Sequence, residues 1–145
     1  LVQLYSLQDY VRFLGPIHDW TQRLHSYDAL VAPSLWEGFP NAVAESLACG
    51  TPVLGFRSCD GISDLIIDGE NGMLNSGAPD GAAVSDLLER FYARGQPSGF
   101  WAKKARDSVS PYSPVLAAEL WNELITDLCH GKNASRHDFQ GLERL

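Results

Sequence analysis

Four short apolar runs recur along this chain: VRFLG at Val11 to Gly15, ALVAPS at Ala29 to Ser34, PVLGF at Pro52 to Phe56 and GMLN at Gly72 to Asn75. None shows the alternation of a strand with one wet face. Helix-sized segments separate them. Apolar strands joined by helical connections indicate a parallel sheet covered on both sides. Right-handed crossovers follow as the default. The connections fit. Asp19 to Tyr27 reads DWTQRLHSY and sets Trp20, Leu24 and Tyr27 on one helix face. Pro40 to Cys49 reads PNAVAESLAC, with Pro40 suited to a first helical position and Gly50 and Pro52 as the stop. Ile62 to Asp68 is a short helix candidate, and DGENG after it is a turn.

From Pro79 the chain becomes helical. One helix carries Val84, Leu87, Leu88 and Phe91 on a single face, with Asp80 near its start. A shorter one covers FWAKKARDSV, and a last one places Leu116, Leu120, Leu124 and Leu128 at four-residue steps beside Trp121 and Ile125. The pattern predicts an α/β, Rossmann-like, doubly wound parallel sheet with helices on both faces over residues 1–129. Residues 130–145 are polar and aperiodic and are expected to fray.

Composition removes several functions. The 145 residues carry eleven Lys and Arg against eighteen Asp and Glu, a net charge of −7. A nucleic-acid footprint needs a basic face, so nucleic acid is not an expected partner. Cys49, Cys59 and Cys129 are odd in number and far apart, which suggests neither a zinc site nor a disulfide framework. Reduced thiols in a cytoplasmic protein are the expectation. Asn133-Ala134-Ser135 is a glycosylation sequon without other signs of secretion. No apolar run approaches the length of a membrane span, and no signal peptide is evident. The chain opens on LVQLYSLQDY without Met, and is read as a fragment of a longer protein.

The most informative stretch is SLWEGFPNAVAESLACGTPV, residues 34–53. In an open parallel sheet, ligands bind beyond the carboxyl ends of the strands. Ser34 to Asn41 is such a strand-to-helix loop. The amides of Asn41, Ala42 and Val43 follow Pro40 and have no intrahelical partners, so with the helix dipole they form an anion site. Gly38 allows close approach to the backbone. Glu37 lies before this site and Glu45 inside the helix, five residues past Pro40 or about 7.5 Å along its axis. Carboxylates only accept hydrogen bonds and can take two from adjacent hydroxyls. A ligand with phosphate in the middle and diols at both ends would match, and a nucleoside-diphosphate sugar has that shape. The plainer alternatives are a dipole-favoured glutamate in a first helical turn and a solvated loop residue.

The run VRFLG, then YDALVAPSLWEGFPNAVAESLACGTPVLGF, closely resembles the C-terminal donor-binding domain of the GT-B retaining glycosyltransferases called group 1, or family 4. Their signature is Glu, seven residues, Glu, here Glu37 and Glu45. The resemblance extends from about Leu7 to Leu128 through GISDLIIDGENGMLN, where Asp64 stands in place of a common Glu, and VSPYSPVLAAELWNELI. It implies that Glu45 binds the ribose hydroxyls and that Glu37 holds the donor sugar. It implies further that the amides of Phe39 to Val43, with Pro40 between them, hold sugar and diphosphate. Ser34 opens this loop, and the turn at Leu14, Gly15 and Pro16 would lie near the nucleobase. The implied donor is a UDP- or GDP-sugar, with no metal cofactor. A basic pair and an acceptor domain for a sugar or lipid-linked acceptor would lie upstream of Leu1.

Other constellations are weaker. No G-x-G-x-x-G or G-x-x-x-x-G-K-[ST] is present. The histidines have no ligand spacing, and His18 is read as a surface or capping residue. Arg57, after PVLGF, is read as a solvated charge before a phosphate contact. Trp101, Lys103, Lys104 and Arg106 form a small basic cluster, either a solvated helix face or a peripheral membrane contact in the whole protein. A pair of carboxylates of the glycoside hydrolase type is disfavoured, because Glu45 is committed to the helix that makes the anion site. A non-catalytic nucleotide-sugar module, or an epimerase or phosphorylase of the same plan, stands as the alternative.

Overall fold

The computed structural model of the chain describes residues 1–95 and 99–130. Its centre is a parallel three-stranded sheet in the order β1 (Leu30–Val31), β2 (Val53–Phe56), β3 (Gly72–Asn75). Helix α1 (Trp20–Leu24) leads into β1, α2 (Asn41–Ala48) joins β1 to β2, and α3 (Asp60–Leu65) joins β2 to β3. Beyond the sheet come α4 (Gly81–Ala93), α5 (Gly99–Ser108), a 3-10 turn at Ser110–Tyr112, and α6 (Pro114–Cys129).

Strand β2 shows why the apolar runs lack a wet face. All of its residues are buried. Val53 joins Val43 and Leu47 of α2 and Ile62 and Leu65 of α3 in one layer. Leu54 and Phe56 join Met73, Leu87 of α4 and Trp101 of α5 in the other. Side chains of a strand point alternately to its two faces, so burying both faces requires every position to be apolar. The α/β reading with helices on both faces therefore holds. Helix α4 packs as its periodicity predicts: Leu87 is fully buried, and Val84, Leu88 and Phe91 flank it. Asp80 caps it, with Oδ1 accepting from the Ala83 amide at 2.9 Å.

Helix α5 spans the amino-terminal ends of the strands. Ala102 lies against Gly50, just before β2. Ser108 accepts a 2.8 Å bond from Asn71 Nδ2, just before β3. Asn71 is wholly buried. Its amide also donates to the Leu65 carbonyl at 2.9 Å, and its Oδ1 accepts from the Ile67 amide at 2.7 Å. The opposite, carboxyl-terminal edge of the sheet is left to loops.

Three expectations need correction. Val11 to Gly15 forms no strand, so β1 is an edge of the sheet. A lone apolar pentapeptide becomes a strand only by docking on a ladder, and here Leu14 instead borders a groove shared with Ile17, Trp20 and Leu24. Helix α1 stops at Leu24, short of Tyr27. The amides of Ser26 and Tyr27 bond three residues back, to Arg23 and Leu24, which tightens the end into turns. Pro40 is the cap of α2, in extended backbone at φ −80° and ψ 92°, and Asn41 is the first helical residue. Helix α6 forms over the residues read as helical, and it buries none of them. Leu116, Leu120 and Leu124 are half-covered, whereas Val115, Trp121, Ile125 and Leu128 are exposed. The sequon at Asn133, His137 and the expected frayed tail from Gly131 lie outside the described residues.

Candidate functional site

The loop from Ser34 to Pro40 leaves the carboxyl end of β1 and enters α2. Pro40 supplies no side-chain cap. Its carbonyl accepts from the amides of Val43 at 2.9 Å and Ala44 at 3.1 Å. The expectation of an open Val43 amide is thus corrected, and its side chain is core, 1% exposed. The amides of Asn41 and Ala42 make no backbone hydrogen bond among the described residues. Two N–H groups therefore stay open at the positive end of the helix dipole.

Glu37 is half-buried, and its Oε1 accepts from Ser34 Oγ at 3.0 Å. The carbonyls of Glu37 and Gly38 press on Gly61, in the first turn of α3. A β-carbon on Gly61 would fall under 3.0 Å from both oxygens. Glycine is what lets the acidic loop seat on α3. Next along the chain, the exposed Phe39 ring meets Tyr112, with centroids 5.2 Å apart at 54°.

Glu45 is exposed, one turn into α2. Its Oε2 accepts from the indole Nε1 of Trp20 at 2.8 Å. Two further bonds continue this contact along α1 and α2: Cys49 Sγ donates to the Thr21 carbonyl at 3.3 Å, and Thr51 Oγ1 to the Leu24 carbonyl at 2.8 Å. The three form a seam that fastens α1 to the flank of α2.

Phe39, Asn41 and Glu45 line one groove of about 690 Å³, with Arg106, Tyr112 and Ser113 on the far wall. Leu14 lines a smaller one of about 260 Å³, beside Ile17, Trp20 and Leu30. Gly15, at φ 65°, is exposed in the turn above it. Trp20 joins the two regions, since its ring borders the smaller groove and its N–H holds Glu45. Glu37 and Ser34 are on the neighbouring loop and do not line the larger groove. Trp20, Tyr112 and Arg106 are the site-side residues that sequence patterns missed. The available signal was chemical: an indole has a donor that seeks an acceptor when half-buried.

Arg106 borders the larger groove, and three other cations are engaged in ion pairs. Arg57 pairs with Asp68 at 2.9 Å, Lys104 with Glu70 at 3.0 Å, and Lys103 with Asp107. Trp101 is buried and packs under Arg94, so it is a core residue and not the exposed aromatic of the basic cluster on α5. Among the described residues, no group of three acidic, His or Cys side chains is placed to hold a metal ion, and no helix is long and apolar enough to cross a membrane.

A parallel sheet with an acidic loop and an open helix mouth at its carboxyl edge is one donor-site plan among several, and comparison with known proteins gives it a family. The sequence profile of the Glycosyl transferases group 1 family matches residues 1–93, and the chain belongs to that family. A D-inositol 3-phosphate glycosyltransferase of Frankia alni is 31% identical over 127 residues, covering 77% of this chain and 31% of that protein. D-inositol 3-phosphate glycosyltransferase 2 of Catenulispora acidiphila is 36% identical over 95 residues, covering 61% and 22%. Among solved structures, sucrose-phosphate synthase from Thermosynechococcus elongatus superimposes with a TM-score of 0.76 at 28% identity, over 90% of this chain and 33% of that one. The chain thus spans about a third or less of the length of these relatives.

Proposed function

We propose that this chain is the donor-binding part of a retaining, family 4 glycosyltransferase. Its donor is a nucleoside-diphosphate sugar carrying UDP or GDP, and its acceptor, a sugar or a lipid-linked sugar, meets residues outside these 145. The observation that carries the reading is the mouth of α2. Two open amides, on Asn41 and Ala42, stand between Glu37 and Glu45 within the residues matched to the group 1 family.

The chemistry follows from where charge develops. Breaking the bond between sugar and diphosphate leaves negative charge on the departing phosphate. Fixed donors aimed at that charge stabilise the transition state, and they do so best when already oriented. The amides of Asn41 and Ala42 and the dipole of α2 are such donors. Glu45, one turn further, accepts from the ribose hydroxyls. Glu37 accepts from the donor sugar and holds its anomeric carbon toward the acceptor, with Ser34 steadying the carboxylate. A basic pair outside the chain completes the phosphate site, so no metal is needed.

The test is made on the full-length protein with a panel of nucleotide sugars, reading release of nucleoside diphosphate and the anomer of the product by NMR. Release with retained configuration, lowered by Glu37→Ala, is expected. Tight binding without any release would assign a binding module instead. An inverted product would overturn the retaining mechanism.

A further inference from the structure

We propose that Trp20 is a positioning residue for Glu45, holding its carboxylate in the one orientation that presents the free oxygen to the ribose. This rests on the nucleotide-sugar reading above and deepens it. A glutamate on an exposed helix face is ordinarily free to sample several rotamers, and fixing one costs side-chain entropy. Here the cost is met before any ligand arrives. The indole Nε1 of Trp20 donates to Oε2 at 2.8 Å. An indole only donates, so it can bind the carboxylate and never compete with it as an acceptor. Among the described residues it occupies one of the two carboxylate oxygens, and Oε1 keeps its capacity for a ligand diol.

Trp20 can do this because it is itself fixed. Its ring is half-buried and borders the groove that Leu14, Ile17 and Leu30 also line. The helix that carries it is also joined, through the Thr21 and Leu24 carbonyls, to Cys49 and Thr51 at the end of α2 and just past it. Glu45 is the hydrogen-bond partner of the indole N–H. The arrangement is therefore a support one step behind the ligand: packing holds the indole, the indole holds the carboxylate, and the carboxylate reads the hydroxyls.

The experiment compares UDP with 2′-deoxy-UDP, and GDP with 2′-deoxy-GDP, binding to the full-length protein by calorimetry. Wild type is expected to prefer the ribonucleotide. Trp20→Phe keeps the ring and removes the N–H. It is expected to weaken ribonucleotide binding ~3–10-fold, the scale of one hydrogen bond to a charged group partly lost, while changing 2′-deoxynucleotide binding little. The preference for ribose then shrinks. Asp80→Ala removes the cap of α4, away from Glu45 and Trp20. It should lower the melting temperature and keep the preference. An undiminished ribose preference in Trp20→Phe, or equal loss in Asp80→Ala, overturns the positioning role. Glu45→Ala separates the two readings. If it abolishes the preference and Trp20→Phe does not, Glu45 reads the ribose and Trp20 does not position it. If Glu45→Ala leaves the preference intact, or neither UDP nor GDP binds, the donor-site assignment itself fails.

Discussion

Gly61 sits directly beneath the carbonyl oxygens of Glu37 and Gly38, leaving no room there for even a methyl group. The acidic loop and the first turn of α3 are thereby locked to each other. The position of the acidic loop is decided by a residue that carries no functional group.

Gly61→Ala should consequently separate function from composition. The added methyl forces the Glu37 loop away or strains α3, at about 1–3 kcal/mol for overpacking of this kind. We expect a lower unfolding midpoint in urea and a fall in turnover of the full-length protein, although Glu37 and Glu45 are both present. Wild-type turnover in Gly61→Ala would show that the loop's seat is irrelevant to transfer.

Glu45→Ala should weaken nucleoside-diphosphate binding by about 1.5–3 kcal/mol, as for hydrogen bonds to a charged group. Titration calorimetry against UDP and GDP checks it. Because Glu45 also anchors Trp20, a small drop in melting temperature should accompany the change. Loss of stability with unchanged affinity would make Glu45 a structural fastener only.

Asn71→Ala tests the amino-terminal edge of the sheet. It removes the partner of the buried Leu65 carbonyl and of the part-buried Ile67 amide, and one of the two bonds of Ser108. Each stranded group costs about 1–3 kcal/mol, so the variant should be among the least stable single substitutions in the chain. Denaturant unfolding measures this, and a cost below 1 kcal/mol would mean that water replaces the asparagine amide.

Asp80→Ala should cost about 0.5–2 kcal/mol, the range for loss of a helix cap. The expected loss appears in thermal unfolding and leaves nucleotide binding unchanged, because α4 lies under the opposite face of the sheet from α2 and α3. A change in affinity would reveal coupling across the sheet.

How far the sequence could be read depends on what kind of force decides each element. Strand β2 and helix α4 were legible because burial alone dictates them: apolar at every position of the strand, and at Val84, Leu87, Leu88 and Phe91 of the helix. Val11 to Gly15 misled because an apolar run says only that a strand is affordable, while pairing depends on a neighbour distant in the chain. The acidic pair was visible as spacing, from Glu37 to Glu45. Their actual hydrogen-bond partners, Ser34 and Trp20, depend on tertiary contact, and the indole lies 25 residues before its carboxylate. Nothing in local pattern reports such a contact. The spent Val43 amide was a matter of one residue: placing Pro40 outside the helix lets its carbonyl turn back on the first turn.

Cys59 caps the start of α3 and is 1% exposed, while Cys129 is exposed and Cys49 lies between. The chain therefore carries its own clock at the floor of the acidic loop. A thiol reagent should modify Cys129 at once and reach Cys59 only when the junction of β2 and α3 opens. Its rate of capture then measures how often that floor gives way, and a bound nucleotide that steadies the loop should slow it.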